Sequence, residues 1–300
     1  MSKKMRGYVR EIVDITAEKQ RLDTELSVAS EIQSNMLPSH FPAFPDRDEF
    51  DLYAVMDPAK EVGGDFYDFF LIDDDHLALV MADVSGKGVP AALFMVISKT
   101  LIKNITLSGS GAGPGDILRD VNDRLCEGNE DSMFVTVWLG ILTISTGQLV
   151  SACAGHEYPV FYRRESGFTM EKDLHGPALG AMEGIRFRET HWNMNPGDLL
   201  FLYTDGVPEA TDNSQELFGN GRMLRGLAES RNRENQQSHS GYAGQGDLQS
   251  SLRKWNYEDL QIFLTMFRGH VDDFVGEAPQ FDDLTMMCFS YNGPSETPDS

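Results

Sequence analysis

The stretch that decides the fold is residues 60–93, KEVGGDFYDFFLIDDDHLALVMADVSGKGVPAAL. Its segments DFYDFFLI and HLALVMADV have the length and the β-branched and aromatic content of strands. The acidic run Asp73, Asp74 and Asp75 between them is typical of a solvated turn, so the two strands form a predicted hairpin. Because a hairpin returns both of its ends to one edge of a sheet, we expect Asp65 and Asp83 to lie close together.

The chain continues from residue 50 in short segments of the same kind. Further strands are predicted at FDLYAVMD, MFVTVWLGILTI, QLVSACAG, PVFYRR, IRFRETHWNM, DLLFLYTDG and LTMMCFSY, with a hairpin turn around Gly147. Helices are predicted at PAALFMVISKTLIKNI, PGDILRDVNDRLCE, SQELFGNGRMLRGLAES and YEDLQIFLTMFRGHVDDFV. Many strands occur consecutively and the helices come in pairs, which indicates an α+β fold of antiparallel sheets covered by helices.

Residues 1–38 are predicted to be a separate helical linker that resembles a coiled coil. Its seam residues repeat at alternating spacings of four and three: Tyr8, Ile12, Ile15, Lys19, Leu22, Leu26, Ala29, Gln33 and Met36. Because Lys19 and Gln33 interrupt the apolar stripe, a solvated helix packed on the main domain is the alternative. Pro38 ends the helix, and the main domain is expected to span residues 45–292. Within it, the polar tract 231–251 is predicted to be a mobile insertion, and residues 293–300 a disordered tail.

Composition limits the partners of the chain. A formal net charge of -22 argues against binding of nucleic acid, because the phosphate backbone would be repelled. The three cysteines are widely separated and contain no C-x-x-C pair, so neither a disulfide framework nor a zinc site is indicated. No apolar run approaches the roughly 20 residues that span a bilayer. We therefore expect a cytoplasmic chain, with any membrane anchor located upstream of it.

Aspartates fall at four separate strand ends. Asp65 begins a strand, Asp83 and Asp205 each end one, and Asp282 with Asp283 directly precedes another. Each such residue alone is explained by the frequency of aspartate in turns. Four in the same arrangement suggest a cluster of hard oxygen ligands for Mg²⁺ or Mn²⁺, since crowded carboxylates repel one another without a cation.

The stretch Gly86-Lys87-Gly88 could also be taken for a phosphate-binding P-loop. The pattern fails because the lysine is followed by Gly88 where serine or threonine is needed, and Met81 stands where the first glycine belongs. These glycines are better explained as a tight turn beside the proposed metals, before a helix that begins at Pro90.

Six motifs occur in an order that resembles one known family. EVGGDFYDFF, ADVSGKGVPAALFM, ACAGHEYPVFY, GPALG, PGDLLFLYTDGVPEATD and FDDLTMM are similar to the successive motifs of the PPM-type (protein phosphatase 2C-like) metal-dependent serine/threonine phosphatases, in their bacterial SpoIIE/RsbU-like branch. The resemblance covers residues 32–291. It implies a four-layer αββα sandwich with a centre for two divalent cations, Mn²⁺ or Mg²⁺.

The resemblance also implies roles for individual residues. Asp83 matches the ligand that bridges the two metals, and the carbonyl of Val84 matches a ligand on the same metal. Asp205 and Asp282 match the carboxylates that hold the other metal, and Asp65 matches an acid that reaches the metals through water. These four aspartates are the expected catalytic residues, because the metals they hold would activate a water molecule to attack phosphorus.

Expectations also follow for other positions near these motifs. Asp282 matches the family position better than Asp283 does, and Asp68 is expected to be a turn or supporting residue. His156 is either a general acid or, more commonly for such a histidine, a residue that orders its loop. Eukaryotic relatives carry a phosphate-binding arginine near the first strand, and only Lys60 accompanies the acids here.

The resemblance finally implies a biological setting. The expected substrate is a phosphorylated anti-sigma-factor antagonist of the STAS class. The N-terminal helix is expected to connect to an upstream sensor module and to pair in a homodimer. The alternative hypothesis is a catalytically silent, phosphatase-like binding module, although retention of all four acids argues against it.

Overall fold

The structure is a computed structural model and describes residues 3–109, 111–239 and 254–294. Its strands are β1 (Phe50–Asp57), β2 (Phe66–Leu71), β3 (His76–Val84), β4 (Val135–Thr143), β5 (Gln148–Ala154), β6 (Val160–Arg163), β7 (Gly167–Met170), β8 (His175–Gly176), β9 (Glu189–Asn193), β10 (Leu199–Tyr203) and β11 (Leu284–Tyr291). Its helices are α1 (Lys3–Ser34), α2 (Val89–Ser108), α3 (Pro114–Cys126), α4 (Gly219–His239) and α5 (Tyr257–Val275).

The strands form two sheets. The first sheet has the order β1-β11-β10-β6-β7, and the second has the order β2-β3-β4-β5-β8, with β9 also paired to β5. All pairings are antiparallel except the two-residue pairing of β8 with β5. The short strands β7 and β8 were not predicted, because four and two residues are too few to show a pattern.

Strand β11 shows how the first sheet is buried on both faces. Met287 and Phe289 belong to the core shared with the second sheet. The alternating residues Met286 and Cys288 belong to a separate core with α4 and α5. Since successive side chains of a strand point to opposite faces, a central strand must be apolar at every position, as LTMMCFSY nearly is.

Helices α2 and α3 cover the outer face of the second sheet. Met95 and Ile102 of α2 and Leu118 and Val121 of α3 are buried in the core that contains the second sheet. With α4 and α5 on the other side, the layers are helix, sheet, sheet and helix. The expected α+β, four-layer αββα sandwich is confirmed.

The predicted hairpins are present. Strands β2 and β3 pair from Phe66 with Ala82 to Leu71 with Leu77, so residues 72–75 form their turn. Gly147 joins β4 to β5 with φ of 72°, and a Cβ there would lie 2.3 Å from the Met194 carbonyl oxygen. A side chain is therefore excluded at this turn on two grounds.

Two boundaries differ from the prediction. Helix α4 begins at Gly219 and not at Ser214, because the preceding residues form a turn closed by a bridge between Thr211 and Leu217. The same helix extends to His239, so the first nine residues of the predicted mobile tract 231–251 are helical. Arg231 lies over the ring of Tyr162 at 3.9 Å, a contact that the polar composition did not reveal. Residues 240–251 of that tract and 295–300 of the tail lie outside the described residues.

Helix α1 leaves its seam open to solvent. The seam side chains Tyr8, Ile12, Ile15 and Leu22 are all at least half exposed. Among the α1 side chains that the structure describes, only Gln33 is buried. The interruption of the apolar stripe at Gln33 therefore marks the place where α1 contacts the domain.

Within the described residues, α2 alone has the length and apolar composition of a membrane-crossing helix. In this structure, however, Ala91, Met95 and Ile102 of α2 are buried against the second sheet. Packing in the domain core accounts for these residues, while Leu93 and Ile97 of the same helix are exposed.

Candidate metal centre

The site forms where strand ends of the first sheet meet strand ends of the second sheet. Asp65 precedes β2 and Asp83 is the penultimate residue of β3, so the β2–β3 register places them at one end of that hairpin. Asp205 follows β10 and Asp282 precedes β11, and these strands also pair antiparallel. The structure thus brings together all four acids that were predicted from the sequence.

Asp65 connects the two sheets. Its Oδ2 accepts hydrogen bonds from the hydroxyls of Thr204 and Thr285, each at 2.6 Å, and both donors belong to the first sheet's end of the site. Asp65 is 2% exposed. Burial, followed by the charge of Asp83, raises the pKa of Asp65 well above its ordinary value, while the two hydroxyls oppose this shift. The carboxylate is therefore fixed in position but unfavourably placed without a compensating cation.

Two further acids have raised pKa values for the same two reasons, burial and repulsion by a neighbouring carboxylate. Burial, followed by the charge of Asp205, raises the pKa of Asp83 to about 7. Burial, followed by the charge of Asp282, raises the pKa of Asp205 to about 6. Crowded carboxylates whose mutual repulsion raises their pKa values are suited to a multivalent cation, which removes both the repulsion and the desolvation penalty.

The backbone offers one further candidate ligand, the carbonyl oxygen of Val84. The carbonyl oxygen of Val84 would lie 2.9 Å from a Cβ at Gly64, a distance that side chains almost never adopt. Gly64 therefore lets the segment before Asp65 approach this carbonyl closely. Together with the carboxylates of Asp65, Asp83, Asp205 and Asp282, the donors are all oxygen atoms. This donor set fits Mg²⁺ or Mn²⁺.

The structure distinguishes the two acids before β11. The Asp283 carboxylate accepts hydrogen bonds from the backbone N–H groups of Ala59 and Gly64, each at 2.8 Å, so it anchors the loop that carries Asp65. The Asp282 carboxylate instead lies beside Lys87, whose Nζ is 2.8 Å from Oδ2. Asp282 stays the predicted ligand of the two, because the Asp283 carboxylate is occupied by backbone N–H groups.

Lys87 is the site residue that sequence reasoning missed. Its Nζ also donates to the Phe281 carbonyl at 2.7 Å and lies 4.1 Å from the centre of the Phe281 ring. The charge of Lys87 partly offsets the raised pKa of Asp205. Lys60, the only cation noted from the sequence, is exposed. The Gly-Lys-Gly stretch was the available signal: its glycines predicted a turn beside the metals, but nothing in the local sequence indicated that the lysine side chain reaches Asp282.

His156 is held by both of its ring nitrogens. Nε2 lies 3.1 Å from the Tyr203 carbonyl oxygen and Nδ1 lies 2.9 Å from the Thr136 hydroxyl. Since a carbonyl only accepts, Nε2 carries the proton, and burial lowers the pKa of His156 to about 3. A neutral histidine with both nitrogens engaged orders its loop, so the structure favours this alternative over a general acid.

Asp68 does not belong to the acidic cluster. It is buried and forms an ion pair with Lys99 of α2, and Lys103 Nζ of the same helix lies 3.6 Å from its Oδ2. Asp68 thus connects the second sheet to α2, which is a supporting role.

The electrostatics of the acids lead to a pH prediction for the metal-free protein. The pKa of Asp83 is raised from 3.8 to about 7, so between these values the folded state binds a proton that the unfolded state releases. Stability from this group is therefore greatest at low pH and falls as pH rises toward 7. We expect D83N to gain melting temperature relative to the unmodified protein as pH increases from 5 to 7.5, measured by calorimetry in chelator.

The comparison of the two proteins reports Asp83 together with its effect on Asp65, because the charge of Asp83 also raises the pKa of Asp65 and D83N removes both contributions, which have the same sign. The low pKa of His156 has the opposite effect on stability below its ordinary value of 6.5, but His156 is present in both proteins and cancels. The exposed variant D74N serves as the control and should follow the unmodified protein at every pH. Parallel curves for D83N and the unmodified protein would contradict the predicted protonation of Asp83.

Comparison with known proteins is consistent with this architecture. The family model of stage II sporulation protein E (SpoIIE) matches residues 73–240. Protein IcfG of Synechocystis is 32% identical over 297 residues, covering 89% of this chain and 42% of that protein. Phosphoserine phosphatase RsbU of Bacillus subtilis is 30% identical over 192 residues, covering 64% of this chain and 55% of that protein. The chain thus spans about half the length of these relatives.

Solved structures share the fold at lower sequence identity. The SiaA-PP2C domain of Pseudomonas aeruginosa has a TM-score of 0.73 and 20% identity, with 92% of this chain and 99% of that chain covered. The PP2C phosphatase domain of SpoIIE from Bacillus subtilis, with a fragment of its regulatory domain, has a TM-score of 0.60 and 17% identity, with 80% and 63% covered. Since the family model matches more than half of the chain, the chain belongs to the SpoIIE family, and its fold is PP2C-like.

Proposed function

We propose that the chain is a metal-dependent protein serine/threonine phosphatase that hydrolyses phosphoserine or phosphothreonine. The observation that carries the proposal is the meeting of Asp65, Asp83, Asp205 and Asp282 where the strand ends of the two sheets converge. Burial and mutual repulsion raise the pKa values of Asp65, Asp83 and Asp205 there. The relatives named phosphoserine phosphatases RsbU and RsbP, 30% and 26% identical to this chain, support the reaction class.

Two divalent cations, Mn²⁺ or Mg²⁺, would be held by these four carboxylates and the Val84 carbonyl. Bound there, such ions supply an activated water and neutralise charge on the phosphoryl group. A PP2C-like neighbour, RsbX, has been solved in complex with magnesium. In this chain, the hydroxyls of Thr204 and Thr285 hold Asp65 in one orientation, and Lys87 places a positive charge at the rim of the site.

The direct test is hydrolysis of a phosphoserine protein by the purified chain. We expect phosphate release with Mn²⁺, none in EDTA, and recovery when Mn²⁺ is restored. The rival hypothesis, a silent binding module, predicts binding of the phosphoprotein that depends on metal without any release of phosphate.

We further propose that the substrate is a phosphorylated anti-sigma-factor antagonist of the STAS class and that the enzyme acts in the cytoplasm. The relatives RsbU and RsbP are named phosphoserine phosphatases, which supports a phosphoserine substrate. The STAS class is what the six-motif resemblance implies. Comparing initial rates for phosphorylated STAS proteins of the same genome with those for an unrelated phosphoserine protein tests the choice.

The N-terminal helix is the proposed connection to an upstream sensor, and the exposed seam of α1 is the proposed surface for homodimer formation. The contact that would transmit a signal is specific. Gln33 Nε2 donates to the Gly63 carbonyl at 2.7 Å, and the Gly63 N–H donates to Gln33 Oε1 at 3.0 Å. The adjacent Gly64 leads directly to Asp65, so a shift of α1 changes the position of a proposed ligand.

Replacing Gln33 with alanine tests this connection. We expect kcat/KM to fall about tenfold and the Mn²⁺ requirement to rise, because two buried hydrogen bonds of about 1 kcal/mol each are lost beside the Asp65 loop. E31A, which changes an exposed residue of the same helix, is the control and should behave as the unmodified protein. Equal activity and equal Mn²⁺ dependence of Q33A would exclude α1 as the route to the site.

A further inference from the structure

We propose that Cys153, Asp173 and His175 form a second metal site, which binds one Zn²⁺ and is separate from the carboxylate centre. One ligand atom from each residue, the Cys153 sulfur, an Asp173 oxygen and a His175 ring nitrogen, all lie within 4.8 Å of one another. These distances are short enough for the three atoms to bind one ion together.

The fold itself assembles the three side chains. Cys153 near the end of β5 pairs with His175 of β8 in the one parallel pairing of the second sheet. Asp173 lies two residues before His175 in the segment that leads into β8, and its Oδ1 lies 2.7 Å from His175 Nε2. The ligands therefore come from two backbone segments that are fixed to each other by the sheet, which gives a preorganised site.

The strongest observation in favour of a bound cation is that the Asp173 carboxylate is buried and poorly hydrogen-bonded. Its side chain is 1% exposed, yet neither of its oxygens makes a hydrogen bond of acceptable geometry with any donor in the described part of the chain. His175 Nε2 lies 2.7 Å from Oδ1, but this contact falls outside hydrogen-bond geometry. The Trp138 indole N–H is the other donor beside this carboxylate, and it too makes no well-formed hydrogen bond. A buried carboxylate that is poorly hydrogen-bonded is costly, and a cation held between Asp173, His175 and the thiolate of Cys153 would reduce that cost.

The ligand set selects the metal. Sulfur, imidazole nitrogen and carboxylate oxygen are the three donor types that Zn²⁺ uses, whereas Mg²⁺ and Mn²⁺ favour sites made of oxygen alone. Three protein ligands leave a fourth position for water. The His175 side chain is 26% exposed, so an ion can enter from that side while Cys153 remains buried.

The second site is close to the loop that borders the carboxylate centre. In the thiol form, Cys153 Sγ donates to the His156 carbonyl at 3.4 Å, and His156 in turn contacts the backbone of Tyr203, two residues before Asp205. Zinc binding displaces the thiol proton and removes this hydrogen bond. The occupied site would therefore hold β5 and β8 together and change the support of the His156 loop.

The experiment uses metal binding and not catalysis as its readout. The full chain is stripped with chelator, the carboxylate centre is filled with Mg²⁺, and Co²⁺ or Zn²⁺ is titrated. We expect one equivalent of Co²⁺ to produce a thiolate-to-cobalt charge-transfer absorption, which carboxylate ligands cannot produce. Zn²⁺ should abolish it by displacement and should raise the melting temperature.

Variants assign the ligands. C153A should abolish the absorption, and H175A should weaken Zn²⁺ binding by at least about 100-fold in competition with a chromophoric chelator. Because His175 lies at the surface, H175A keeps the test valid if C153A fails to fold. C288A is the matched control, since Cys288 is equally buried but lies in the other core, and it should bind as the unmodified chain does. The proposal is overturned if the unmodified chain gives no thiolate absorption, or if D173N and H175A bind Zn²⁺ unchanged.

Discussion

Replacing Asp205 with alanine is expected to lower metal-dependent phosphate release by at least about 100-fold. The residue is one of the four acids at the meeting edge of the sheets, and burial together with the charge of Asp282 raises its pKa to about 6. Removing a carboxylate ligand from a metal centre forfeits several kcal/mol of transition-state stabilisation, and each 1.4 kcal/mol corresponds to a factor of about ten. The measurement is kcat/KM for a phosphoserine protein across a range of Mn²⁺ concentrations.

The Mn²⁺ dependence of the remaining D205A activity shows whether the activity is lost because a metal ligand is missing. If Asp205 holds a metal, D205A should need more Mn²⁺ for half-maximal activity, and its melting temperature should respond less to Mn²⁺. D74A removes an acid from the exposed turn between β2 and β3, and it should retain full activity. A D205A protein that folds, binds the phosphoprotein and keeps its Mn²⁺-dependent turnover would refute the assignment of the site.

The architecture was largely predictable because it depends on local patterns. The β2–β3 hairpin follows from two apolar segments around an acidic turn, and the position of Asp65 opposite Asp83 follows from that hairpin. Residue-by-residue apolarity likewise predicted the central strand β11. The approach of Asp205 and Asp282 in the first sheet to the end of the β2–β3 hairpin in the second sheet does not follow from any local pattern, and the six-motif resemblance supplied it.

Other features could not be predicted because the partners are distant in sequence. Lys87 contacts Asp282, and the Asp283 carboxylate accepts a hydrogen bond from the Gly64 N–H. Neither contact can be recognised from the local sequence. Gln33 resembled a defect in a heptad, although it holds Gly63 from thirty residues away. Asp173 was overlooked for the same reason, since its relation to Cys153 arises only when β8 pairs with β5.

The second large effect is expected at Gly206, where the loop after β10 contacts the segment that leads into β11. A Cβ at this position would lie 1.8 Å from the Asp283 carbonyl oxygen and 2.9 Å from its carbonyl carbon. A backbone obstacle cannot rotate away, so G206A must push the β10 loop and the β11 entry apart. We expect destabilisation of about 1–3 kcal/mol, seen as a lower melting temperature, and loss of activity of about 100-fold from displaced ligands.

The distinction between a general folding defect and displacement of the ligands comes from the Mn²⁺ response and from a matched glycine. Gly269 lies within α5, and no atom of the described residues is within 4 Å of a Cβ there. G269A should therefore raise stability by up to about 1 kcal/mol, since alanine favours a helix over glycine, and should leave activity unchanged. Because Gly206 directly follows Asp205, G206A should also weaken Mn²⁺ binding while the protein is still folded. Equal Mn²⁺ affinity in G206A and G269A would mean that the contact between Gly206 and Asp283 supports the fold but does not position the metal ligands.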